Sequence, residues 1–154
     1  MKPVFYIFVL HLSFSHGLFA KPDDELVKIE NAAPRKSSVQ PKKARKVLVY
    51  SKPSGFKHNS IPTGVKGLRI LAEKTGAFTP TFTLDTSEFT VAGLEKYDAI
   101  IFNNTTHVQK AFTEESQREA ILNFIKDGKG FIGFHSASDG GMSQWQEYTD
   151  MIGG

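Results

Sequence analysis

The chain has no cysteine in its 154 residues, which removes disulfides, thiolate nucleophiles and thiolate-ligated metals before any fold is considered. Tryptophan is nearly absent too, with a single residue at 145. A long apolar run is also missing: the most apolar stretch, Val4 to Leu12, is broken by His11 and is too short for a comfortable membrane span. With Lys2 before it and small residues after it, that stretch reads as an export signal over residues 1–20, cleaved after Ala20 or Gly17; an uncleaved anchor is the competing reading. Charge of one sign is lacking as well. The pI near 9.1 comes from residues 21–46, which hold eight Lys/Arg against four acids, whereas residues 47–154 hold ten against twelve. Nothing in that balance supports nucleic-acid recognition by the folded part.

What is present is an alternation of apolar runs and helical periods. Residues 21–45 are polar and punctuated by Pro22, Pro34 and Pro41, and read as a disordered tail or linker. Lys46–Tyr50, Ala99–Phe102 and Phe131–Phe134 are short apolar runs of the kind buried on both faces of a parallel sheet, and Thr79–Leu84 alternates weakly as a further strand. Between them, Ile61, Val65, Leu68 and Ala72 mark one helix face, with Ser60 as the expected N-cap and Gly76 as the stop. Thr113 is the expected cap of a second helix with Ile121, Phe124 and Ile125 inward and Asp127-Gly128 at its end. Residues 91–97 suggest a short helical turn, and a last helix is expected near Ser143 with Trp145, Tyr148 and Ile152 on one side. This order predicts an α/β fold with a mostly parallel open sheet.

In such a sheet, ligands bind beyond the carboxyl ends of the strands. Three polar clusters follow three strands: residues 51–60, Asn103 to His107, and His135 to Asp139. His135 directly follows a buried run, where an imidazole can exchange a proton, orient a hydroxyl or ligate a metal. Ser136 and Asp139 stand beside it to orient it, although Asp139 could equally cap the following helix. Ser136 lacks the flanking glycines of a serine-nucleophile elbow. His58, His135 and Asp139 are conceivable metal ligands, but no H-x-x-x-H or similar spacing backs them, so no metal is assigned and the cofactor stays open. His107 lies farther along its loop and is not assigned.

Four strings together, KVLVYSKPSGFKHNSIPTG (46–64), YDAIIFNNTT (97–106), FIKDGKGFIGFHSASD (124–139) and WQEYTDMIGG (145–154), resemble the ThuA-like (trehalose utilisation) domain family. The resemblance implies the class I glutamine amidotransferase-like fold, a flavodoxin-like three-layer sandwich, with His135 at the position where working amidotransferases carry their cysteine. It therefore implies no glutaminase activity. It also implies a domain that continues past Gly154, so that residues 46–154 would be its N-terminal part. By position, His135 and Ser136 are the expected catalytic residues, and His58, Asn104, Thr105 and Asp139 the expected substrate contacts. The resemblance implies an exported protein that binds and processes a sugar, a trehalose-like disaccharide or its oxidised derivative. A small-molecule carbohydrate is thus the expected partner, with no nucleic acid, no membrane after signal cleavage, and a homo-oligomer left open. A noncatalytic carbohydrate-binding or scaffold domain, or a nonfunctional remnant, is the alternative.

Overall fold

The computed structural model describes residues 24–139 and 144–153, so the export-signal reading of residues 1–20 and the helix start near Ser143 lie outside it. Four parallel strands, β1 (Lys46–Tyr50), β2 (Thr79–Thr83), β3 (Ala99–Asn103) and β4 (Gly130–Phe134), pair in the order β2-β1-β3-β4. These are the first four places of the flavodoxin-like order, and they put a topological switch point between β1 and β3.

Strand alternation assigns the two faces. Val47, Val49 and Ile101 pack with Leu68 of α2 (Ile61–Thr75) and with Phe78 and Phe82. Leu48, Tyr50, Ile100 and Phe102 point the other way, into a larger core with α3 (Val91–Glu95), α5 (Glu115–Lys126) and α6 (Gln146–Ile152). That core is built of rings: Phe102 lies within 6.2 Å, centroid to centroid, of Tyr50, Phe89, Phe112, Phe131 and Tyr148. The short helix α4 (Val108–Ala111), which has no period long enough to read in the sequence, buries Val108 beneath it.

Helix ends follow local chemistry, with two corrections. Gly76 ends α2 in the left-handed region, φ 61°, with its N–H on Ala72 O. Ser60, the expected cap, has helical dihedrals and makes no capping bond, because its hydroxyl is turned toward Asn104. Thr113 is not the cap of α5 either: that position falls to Glu114. Thr90 caps α3, accepting from Gly93 N–H at 3.0 Å.

Two broader expectations are also corrected. The tail is not wholly disordered: Asp24–Ala32 forms α1, which lies on α2 through Thr63 Oγ1 donating to Glu25 at 2.8 Å and Lys74 donating to the carbonyls of Glu30 and Ala33. Only a short apolar set (Leu26, Val27, Ile29) marks it, too little for a periodic signal. β4, in turn, is not buried on both faces. It stands at the sheet edge, and on the α2 side Ile132 and Phe134 remain 46% and 40% exposed because α2 covers β1 and β2 rather than β4.

The amino end of the sheet is held by one carboxylate. Asp98 accepts from Lys46 N–H and pairs with Lys43 and Arg45, each at 3.0 Å. The Lys46 N–H first, then Lys43 and, more weakly, Arg45, hold this carboxyl well below the usual carboxylate range against the opposing effect of burial. A folded-state value below the unfolded one, about 3.9, means a contribution present above that pH and lost as pH falls toward the folded value. Asp98→Asn should therefore lower the urea midpoint at neutral pH, with the gap from wild type closing under acid conditions. A gap independent of pH would remove Asp98 from the acid limb.

Candidate functional site

At the carboxyl edge, three loops converge. Ser54 N–H donates to Thr106 O at 2.9 Å and Thr106 Oγ1 donates to Phe56 O at 2.8 Å, tying the loop after β1 to the loop after β3. Gly55 leaves room for the His107 ring in that staple, since a Cβ there would fall 2.1 Å from Cδ2 of His107. His107, unassigned from sequence, thus fills space in the loop junction. Asn104 N–H donates to Phe134 O at 3.3 Å, carrying the β3–β4 pairing into the loops.

The imidazoles of His58 and His135, from loops after different strands, meet edge to face with centroids 4.6 Å apart and planes at 74°. Asn104 lines the same concavity as His135 and belongs to a relay. Ser60 Oγ donates to Asn104 Oδ1 (3.2 Å), Asn104 Nδ2 to Asn103 Oδ1 (2.9 Å), and buried Asn103 Nδ2 to Ser51 Oγ (3.2 Å) and Ile61 O (3.1 Å). Gly64 makes room for this relay, because a Cβ there would sit 2.3 Å from Asn103 Oδ1.

Among the described residues, the non-glycine positions with positive φ are Asn104 (55°), His107 (51°) and His135 (50°), all on these loops. For the two histidines the left-handed conformation costs about 1–2 kcal/mol each, asparagine tolerating it better, and such strain concentrates where side chains must be aimed. His135 opens a 3₁₀ turn, His135–Ser138, which Tyr148 clamps from below by donating its hydroxyl to Ala137 O at 2.6 Å.

Thr105 and Ser136, each just past one of two paired strands, are buried, yet neither hydroxyl has a hydrogen-bond partner among the described residues. Unpaired buried hydroxyls are uncommon and costly. Tyr50 is different: its hydroxyl is also unpaired, but burial and then the charge of Asp85 push it up to about 12, and it sits in the aromatic core. Asp139 closes the turn with its N–H on Ser136 O, and its side chain is exposed, with no hydrogen bond or ion pair to either histidine among the described residues.

His135 lies between two concavities. One of about 510 Å³ is lined by Ser60, Gly64, Leu71, Asn103, Asn104 and Phe134; the other, about 490 Å³, by Phe131, Gly133, Ser138, Met151 and Ile152. Both fall in the size range of small-molecule sites. A further groove of about 390 Å³ opens at the opposite end of the sheet, near Arg45 and Asp98, where those charges are already paired. No group of three or more metal-ligating side chains occurs among the described residues.

The sequence of residues 46–154 matches the family model described as ThuA, trehalose utilisation. The chain belongs to the ThuA family. A solved ThuA-like protein from Bacteroides uniformis ATCC 8492 is similar to this ThuA domain with a TM-score of 0.60 and 23% identity, over 77% of this chain and 48% of that one. At that identity the likeness shows the fold alone, and the chain spans about half the length of that structure. No curated protein matches the sequence. Within the ThuA domain, the structure brings His58, Asn104 and His135 together, sets Thr105 and Ser136 beside them in the same two loops, and leaves Asp139 outside the group. Phe56, whose ring meets His58 edge to face at 4.9 Å, was not marked by the sequence, because an exposed loop aromatic has no periodic signature.

Proposed function

We propose that the carboxyl rim of this ThuA domain binds a sugar, a trehalose-like disaccharide or its oxidised derivative, and acts on it by histidine-centred proton transfer. The observation that carries the reading is the contact of His58 with His135 at 4.6 Å, across loops that also supply neutral hydrogen-bonding groups. Hydroxyl-rich ligands need donors and acceptors without net charge, which Asn104, Thr105, Ser136 and Ser60 provide. The hydroxyls of Thr105 and Ser136 are unpaired but covered, so they meet a ligand only once their loops open. His135 exchanges a proton with a sugar hydroxyl, and His58 packs against its ring to hold its direction. The absence of cysteine from residues 1–154 supports a reading without a thiol-based glutaminase route. The leader-like residues 1–20 support export of the domain.

Calorimetric titration of the full chain with trehalose and its oxidised derivative tests the reading. Saturable binding that weakens by about tenfold in Asn104→Ala is expected, the loss of one to two hydrogen bonds in a desolvated site. Binding of neither sugar would overturn it.

A further inference from the structure

We infer that Phe56 is a stacking platform for a pyranose ring, forming an apolar subsite at the rim of the histidine pair. This rests on the sugar reading of the same rim and adds the face by which the sugar is held. Phe56 is 72% exposed, well beyond the 40% of Phe134. A benzyl side chain left in water on a loose loop would signify little, but this one is not loose. Its own carbonyl accepts from Thr106 Oγ1 at 2.8 Å, and the residue two before it donates to Thr106 O at 2.9 Å. On the ring itself, the edge-to-face contact with His58 at 4.9 Å fixes its place beside the imidazole that touches His135.

The remaining rim groups are polar and address hydroxyls. A pyranose also has a face of C–H bonds, which hydroxyl and amide groups leave unsatisfied and an aromatic face covers. A held, solvent-facing ring next to a cluster of neutral donors and acceptors has the two kinds of surface that such a ligand presents. An open-chain polyol has the hydroxyls without the flat C–H face, and gains nothing from the ring.

The test is calorimetry on the full chain with trehalose and with sorbitol, comparing wild type, Phe56→Ala and Phe56→Trp. Because Phe56 is exposed, both variants should melt with wild type. Phe56→Ala should bind trehalose about tenfold more weakly, the scale of an aromatic anchor, with any sorbitol response unchanged. Phe56→Trp should stay near wild type, since the larger ring keeps the stacking face. Trehalose binding unchanged in Phe56→Ala would overturn the subsite while leaving the rim reading in place. Equal weakening in Phe56→Trp would overturn it too, by showing that loop shape rather than an aromatic face is required. A wild-type chain that binds neither trehalose nor its oxidised derivative would overturn both.

Discussion

Replacing His135 with alanine is expected to lower turnover of the sugar by about 10²–10⁴-fold, the usual contribution of a positioned general acid or base. The residue faces both concavities of the rim and touches His58 at 4.6 Å. Its backbone makes a second, independent expectation. At most positions glycine is less stable than alanine by about 0.5–1 kcal/mol. At φ 50° the order should reverse, with His135→Gly about 1 kcal/mol more stable than His135→Ala, because only the Cβ of alanine is strained there. Both variants should be inactive, which separates the loss of the imidazole from any loss of fold. Alanine more stable than glycine would mean that the left-handed turn is not populated, and retained turnover would remove His135 from the chemistry.

The second large effect lies in the core beneath the rim. Phe102 is fully buried and meets five other rings, so Phe102→Ala should cost about 3–5 kcal/mol through lost transfer energy and the cavity left behind. That is a large share of the stability of about 5–15 kcal/mol usual for a domain. Ile132→Ala, on the half-covered edge strand, should cost well under half as much, since its side chain is 46% exposed. Urea midpoints with unchanged slopes measure both. Equal losses at the two positions would contradict the placement of the core on the α3, α5 and α6 side.

Much of this fold was legible in the sequence wherever burial imposes a period. The strands β1 and β3 stand out as apolar runs because both of their faces are covered, and Ile61, Leu68 and Ala72 of α2 fall on one buried stripe. The same run type misleads at β4, since local composition does not report which strand ends up at the edge. The helix α1 escaped because its support is tertiary, through Lys74 and Thr63 on α2. At the site, His58, Asn104 and His135 could be read because each follows closely on a strand whose direction is itself readable. Ser60 and His107 could not be assigned their roles, as relay donor and loop filler, because each is set by a partner more than forty residues away in the chain.

The most direct single measurement is a trehalose titration of the full chain followed through the imidazole Cε1–H proton resonances. His58 and His135 sit in ring contact on the proposed sugar rim, so their two signals should shift together along one saturation curve, ahead of those of His11 and His16. Shifts in neither rim histidine at saturating sugar, or in only one of the pair, would contradict a shared site.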